Sequence, residues 1–401
     1  MTLLTIILGG VTLLVLLPAA VLFAEVLLAV THRDEMLMKE GKRGRIAVVM
    51  PAHDEASIIG ETLHSILPQL TVSDRLLVVA DNCSDDTAII AAAEGADVIV
   101  RTDLTQRGKS YALDFAIRHL ELDRPDVVII IDADCNVATD SIDRLARLCA
   151  RTARPAQALY LMRAPKNARI TTRIGEFAWT VRNQIRPAGL RRLGLPCQLM
   201  GTGMAFPWSC ISTARLASGH IVEDLKLGID LARAGTPPLF CPGALVTSNF
   251  PTSSAGIHSQ RTRWEHGHLS VILAEAPRMF LDSLVSRNPD LMALAVDLTV
   301  PPLALLTLLV GAVWIASAAL YVLARARFPI VISSVAGALL ALSVLLSWIG
   351  YGRRIISLGE LALAGVYALG KIPLYVRFFV ARQLDWVRSK RDDEGHPPPG
   401  T

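Results

Sequence analysis

The sequence predicts an α/β fold: a sheet whose strands alternate with helices, tied to helices that cross a membrane. Three observations point to it. Short aliphatic runs alternate with helix-spaced segments between residues 45 and 150. Three of those runs break into acidic residues at their ends. Long apolar runs, almost without charge, lie on either side.

The elements follow in order. Residues 3–30 carry one charge, Glu25. The run exceeds the roughly 20 residues that cross a bilayer and reads as an uncleaved anchor, a signal peptide being the alternative. His32, Arg33, Lys39, Lys42, Arg43 and Arg45 follow it, which favours the cytoplasm for what comes next. RIAVVM, residues 45–50, reads as a buried strand ended by Pro51. Helix is expected at 57–67, 87–93, 110–120 and 141–150, and strand at 76–79, 97–100 and 127–131. Ser84 and Asp85 stand where an N-cap of the second helix belongs. Such alternation implies a parallel sheet covered on both faces, and continuous aliphatic strands fit it. Residues 151–220 show no regular period. Residues 221–235 are helix-spaced and stop at Gly235, with Asp224 near the start as base or N-cap.

Residues 256–276 look amphipathic, with Gln260, Arg263 and Trp264 among three histidines. His258, His266 and His268 lack a zinc-ligand pattern. Further spans are expected at 295–323 and 330–349. Residues 355–380 are apolar but hold Glu360, Lys371, Pro373 and Arg377, so a helix in the cytoplasmic interface is expected, with a fourth span as the alternative. Arg353, Arg354, Arg388, Lys390 and Arg391 agree with a cytoplasmic C-terminal region, while Arg325 and Arg327 oppose it in a short loop. The organisation read from this is an anchor at 1–31, a cytosolic catalytic domain at 32–255, a QRTRW segment with interfacial helices at 256–294, two spans at 295–351, an interfacial or membrane helix at 352–389 and a disordered tail at 390–401. A net charge of +4 gives no case for nucleic acid. The six cysteines form no CxxC pair, so free thiols are expected rather than zinc or disulfides.

The acids carry the chemistry. Asp54 and Glu55, then Asp81, Asp85 and Asp86, then Asp132 and Asp134 end three successive strands. Ligands of open α/β sheets bind outside the carboxyl ends of strands, so these acids converge on one crevice. Asp132 and Asp134 are two apart and point the same way on extended chain. Two carboxylates so placed call for a cation, and a hard divalent ion takes oxygen ligands and shares them with phosphates. Gly108 and Lys109 open the next helix, offering close backbone approach, a point charge and a positive helix end to a diphosphate. The plainer alternatives are solvated turns and a solvated loop lysine.

VVMPAHDE, VVADNCSDDT, RGKSYALD, IDADC, VEDLKLGIDLARAG and QRTRW together resemble family 2 glycosyltransferases, more narrowly the membrane-integrated polysaccharide synthases of cellulose, hyaluronan and poly-N-acetylglucosamine. The resemblance runs in order from about residue 46 to 275. It implies a GT-A nucleotide-sugar-binding fold. Pro51, His53, Glu55, Asp81, Lys109, Asp132, Gln260, Arg263 and Trp264 would bind the donor, with Asp81 at the uracil, although Ala80 stands where the family often has a further Asp. Asp132 and Asp134 would hold Mg²⁺ or Mn²⁺. Asp224 would be the catalytic base, tuned by Glu223. Gly201, Thr202, Gly203, Glu223 and Trp264 would face the acceptor. The implied reaction is inverting transfer from a nucleotide sugar, UDP by family expectation, to a lipid-linked or growing glycan at the membrane, with partner proteins of a glycan assembly system possible. Because three or four spans are few for a polymer channel, single addition to a lipid carrier is favoured over processive extrusion. A nucleotidyltransferase and a catalytically silent nucleotide-sugar binder are the rival readings.

Overall fold

The computed structural model describes residues 2–31, 43–217, 222–251 and 254–380. The basic residues from His32 to Lys42, the tail from 381 and the side chain of His258 lie outside the described residues. The chain divides into two compact units.

The sheet unit takes residues 34–163 and 195–259. Its strands are β1 (Ile46–Ala52), β2 (Arg75–Asp81), β3 (Asp97–Arg101), β4 (Val127–Ile130), β5 (Asn136–Val137), β6 (Ala156–Arg163), β7 (Met204–Pro207) and β8 (Leu239–Asn249). They lie in the order β3-β2-β1-β4-β7-β6-β8-β5. The first four are parallel, as their alternation with helices Ile59–Ile66, Thr87–Ala93 and Lys109–Leu120 requires. Beyond these strands the sheet is mixed: β6 runs parallel to β8. β7 runs antiparallel to β4 and β6, and β5 antiparallel to β8. After the turn at Gly201–Gly203 the chain runs back along β4, with Met204 opposite Ile130. That return brings the GTG turn to the end of β4 where Asp132 stands. Residues 151–220, which show no period in sequence, thus supply two strands of the sheet.

The strand interiors are the core. Ala47, Val49, Leu77, Val79, Val128 and Ile130 pack with Leu113, Ala116 and Leu120 of the helix after Lys109. Pro51 does not end β1. It continues in register with Val79 of β2, past the last residue of β1 that pairs with β4, where β1 has one neighbour and the missing N–H is tolerated.

The helical unit takes residues 1–33, 164–194 and 260–383. Among the described residues, three of its helices are long and apolar enough to cross a membrane: Leu3–Thr31, Leu303–Ala324 and Arg327–Gly352. Residues 295–302, expected in the second span, instead close the preceding helix Pro289–Leu298 and break at Pro301 and Pro302. Residues 355–380 form three short helices, Leu358–Ala362, Ala364–Leu369 and Ile372–Val380, rather than one. None has the length of a span. They hold to the helix Ser254–Ser286 through Lys371 with Glu265, and through His266, whose Nε2 lies 3.0 Å from the Leu374 carbonyl.

Buried charges knit the helical unit. Arg186 donates to Glu25 at 2.7 Å and to the Asp297 carboxylate at 2.5 Å. Beside this triad, helix Arg186–Arg192 crosses the N-terminal helix at Gly189, where an added Cβ would come 2.0 Å from the Glu25 carbonyl oxygen.

Candidate active site

The ends of β1 and β2 meet first. His53 Nδ1 lies 2.7 Å from the Asp81 carbonyl, and Asp54 accepts from the Ser84 N–H at 2.6 Å. Asp54 and Asn82 both have positive φ, 53° and 54°, as tight turns out of parallel strands demand. Asp81 is buried. Arg101 donates to it at 2.7 Å and Asn82 at 3.0 Å, both to the same oxygen, Oδ1. Asp85 accepts from the Thr87 N–H at 3.0 Å and from the Ala56 N–H at 3.0 Å, so it ties helix Thr87–Ala93 to the turn after β1. The N-cap position itself falls to Asp86, not Ser84 or Asp85. The Glu55 N–H donates to the Thr87 hydroxyl at 2.7 Å.

The end of β4 holds the second group. Asp132 follows the strand, and its N–H donates to the Thr202 hydroxyl at 3.0 Å. Thr62 of helix Ile59–Ile66 donates to the Ala133 carbonyl at 2.7 Å and fixes the Asp132–Asp134 turn from below. Lys109 pairs with Asp132 and donates to the Gly201 carbonyl at 2.6 Å. Gly201 and Gly203 have φ of +93° and +65°, which bends the chain tightly around Thr202. A Cβ at Gly203 would lie 2.7 Å from Ala158. Gln157 is fully buried; it donates to the Ala158 and Thr202 carbonyls at 2.9 Å each and accepts from the Met200 N–H at 2.8 Å. Sequence reading missed Gln157, yet a lone glutamine inside AQALYLM was a signal that a buried amide was doing positional work.

Helix Glu223–Arg233 brings the third group. Asp224 occupies its second residue, with Val222 at the cap, so the N-cap alternative for Asp224 fails. Its carboxylate would be 3.5 Å from a Cβ placed on Gly201, so Asp224 lies against the GTG turn. Burial and the Asp224 charge push the Glu223 carboxyl up to about 7. Burial opposes charge on Lys109, but the carboxylates of Asp132, Glu223 and Asp224 outweigh it and raise the ammonium above its ordinary value. Burial, with Asp134 adding to it, raises Asp132, while Lys109 pulls it back. Lys109, Asp132, Asp134, Glu223, Asp224 and Gly201–Gly203 therefore form one electrostatic cluster at the strand ends, assembled from four separated segments.

Gln260, Arg263 and Trp264 belong to the helical unit. They lie half-buried along the helix Ser254–Ser286. There Trp264 stacks on Trp179 at 4.8 Å, and Arg182 lies over Trp179 at 5.6 Å. Burial and the neighbouring Arg182 and Arg186 hold His268 well below its usual pKa, as a neutral ring.

Comparison with known proteins identifies the family. The family described as "Glycosyltransferase like family 2" matches residues 43–267. Glucosyl-3-phosphoglycerate synthase of Mycolicibacterium paratuberculosis is 38% identical over 104 residues, 24% of this chain and 31% of the relative. The 4,4'-diaponeurosporenoate glycosyltransferase of Staphylococcus aureus is 33% identical over 104 residues, 25% of this chain and 27% of the relative. The chain thus spans about a third of the length of these curated relatives. Among solved structures, the mannosyltransferase PcManGT of Pyrobaculum calidifontis, in complex with GDP-Man and Mn²⁺, has a TM-score of 0.49 at 18% identity, over 84% of this chain and 99% of that one. The family match covers more than half of the 401 residues and takes in β1 to β8 with every acid of the cluster, so this chain is a member of the family 2 glycosyltransferases, with the mixed α/β sheet of the GT-A class.

Proposed function

We propose that the protein is an inverting, metal-dependent glycosyltransferase that moves a sugar from a nucleotide donor, UDP by family expectation, to a lipid-linked or growing glycan in surface-glycan or exopolysaccharide synthesis. The observation that carries this is the meeting of Lys109, Asp132, Glu223 and Asp224 around the GTG turn. Single addition is preferred to processive synthesis, since three candidate spans are few to line a polymer channel. The basic residues after the first span support a cytoplasmic site.

The donor set suits Mg²⁺ or Mn²⁺. Asp132 already takes a cation, the Lys109 ammonium, and Asp134 adds a second carboxylate charge beside it. Asp132 and Asp134 would hold the ion, which supplies charge neutralisation to the leaving diphosphate. The protein's own groups do the rest. Lys109 adds positive charge beside the leaving group. Asp224 accepts the proton of the acceptor hydroxyl as its oxygen attacks the anomeric carbon. Glu223, titrating near neutrality, sets the negative charge that stands beside Asp224. One displacement turns an α-linked donor into a β-linked product. In the helical unit, Arg263 is the group suited to the diphosphate and Trp264 the aromatic face suited to an acceptor sugar.

The test uses the full chain in nanodiscs with Mg²⁺ or Mn²⁺, a panel of UDP- and GDP-sugars and membrane lipid extract, against the Asp224→Asn variant. Metal-dependent nucleotide release coupled to sugar transfer, lost in the variant, supports the reading. Tight nucleotide-sugar binding without turnover on any acceptor would overturn it in favour of a silent binder. Product size separates single addition from polymer.

A further inference from the structure

A cavity of about 230 Å³ lies in the sheet unit between helix Lys109–Leu120, β7 and helix Glu223–Arg233. Part of its wall is apolar, formed by the buried Leu113, Met204, Leu216 and Leu227, and Asp230 lines it among the charged groups. Glu223 and Asp224 also line it, so the cavity opens onto the base.

Two further polar groups line it without a task in the fold. Ser110 is 4% exposed and its side chain makes no hydrogen bond to any described residue. Its hydroxyl sits on the cavity wall, where it can donate to or accept from a polar ligand atom. Arg215 has no ion pair among the described residues. The other cations are occupied: Lys226 by Asp230 at 2.5 Å, Lys109 by Asp132. The cavity is therefore bipolar, with carboxyls at the base, one uncommitted guanidinium, and apolar walls. A guanidinium fork matches a carboxylate or phosphate in two parallel hydrogen bonds.

We propose that this cavity binds the acceptor, and that the acceptor carries a carboxylate or phosphate close to the hydroxyl that receives the sugar. The inference rests on the glycosyltransfer reading above. The acceptor hydroxyl lies at Asp224, its carbons lie against the four apolar walls, its anion meets Arg215, and Ser110 hydrogen-bonds an acceptor oxygen. In the transfer, the acceptor O–H bond breaks and its proton passes to Asp224. The oxygen bonds the anomeric carbon, and the carbon–oxygen bond to phosphate breaks, its electron pair leaving with the nucleoside diphosphate. The same chemistry is offered by a small soluble hydroxy acid or sugar-type phosphate and by a phospholipid headgroup with a free hydroxyl.

The experiment measures sugar transfer by the full chain in phosphatidylcholine nanodiscs. The acceptor probes are glycerate, glycerol 3-phosphate, glycerol, phosphatidylglycerol built into the disc, and total membrane lipid extract. The anionic probes or the extract are expected to accept sugar, and glycerol is not. Transfer to the soluble probes assigns a free acceptor; transfer to phosphatidylglycerol assigns a lipid headgroup. Arg215→Ala should raise the KM of the working acceptor about tenfold, the scale of one charge-assisted hydrogen bond. Arg215→Lys should recover part of that loss, and the donor KM should not follow. Ser110→Ala should raise the acceptor KM by a smaller factor. Arg215 is exposed, so its variants fold and decide the case if Ser110→Ala does not express. Transfer to the extract that ignores Arg215→Ala, or glycerol serving as well as glycerol 3-phosphate, overturns the proposal and leaves the glycosyltransfer reading intact. No metal-dependent transfer to any probe or extract overturns both.

Discussion

Asp224 and Glu223 are adjacent acids with different duties, and each makes its own prediction. In the role proposed for Asp224 as proton acceptor, Asp224→Asn should lower transfer roughly 10²–10⁴-fold, while nucleotide binding, read by fluorescence titration, persists. Glu223 titrates at about 7 when folded against an ordinary 4.5. Between those values the folded chain keeps a proton that the unfolded chain has lost. The stability this group contributes therefore falls as pH rises through that window and is flat below it. Melting curves taken across pH 4.5 to 7 should slope less in Glu223→Gln than in the parent. Sequence showed both acids but not their difference, because the shift comes from burial and from Asp224 at close range. It showed Asp81 but not Arg101, the partner that holds it, twenty residues away in sequence. Such pairings are set by strand order, which composition does not carry.

At the scale of elements, the GTG turn is held by Gln157 on β6 and by the absence of a side chain at Gly203. Gln157→Ala would strand two carbonyls and one N–H in the core, at a cost of about 1–3 kcal/mol. Denaturant titration should show that loss, and kcat should drop with it as the turn loosens. Gly203→Ala forces a left-handed alanine against Ala158 2.7 Å away, so a loss of about 1–3 kcal/mol is expected in the same titration. The parallel half of the sheet was legible in sequence, since strand and helix alternate there with clear periods. The mixed half, with β6 and β8 parallel and β7 and β5 antiparallel to their neighbours, was not. β6 and β7 carry strand-length apolar runs, but helix Ile170–Thr180 and the π-helical turn Val181–Ile185 stand between them in sequence, and they belong to the helical unit. An insertion of that kind breaks the alternation on which the reading depends. The second span was read too long at its start for a related reason: Pro301 and Pro302 divide one apolar run into two helices.

On the scale of the whole molecule, each unit is built from separated stretches of chain. The helical unit needs residues 164–194 as well as both membrane-side regions. Its Ile174, Phe177, Val181 and Ile185 are buried against residues such as Leu22 and Val26 of the N-terminal helix and Leu306 and Val310. A soluble fragment of residues 43–251 would bare those side chains, and it should aggregate on size-exclusion chromatography unless 164–194 is replaced by a short polar linker. Arg186→Ala leaves two acids buried around a missing cation. It should destabilise the full chain in detergent by about 3–5 kcal/mol, a loss read as a lower melting temperature. The triad also has a history written into its spacing. Glu25 precedes Arg186 by 161 residues. At synthesis rates of about 5–20 residues per second that separation lasts roughly 8 to 32 s. Throughout that interval the newborn N-terminal helix carries its carboxyl with neither native partner yet made, so the insertion machinery, or a proton, has to keep company with Glu25 until the ribosome delivers the arginine.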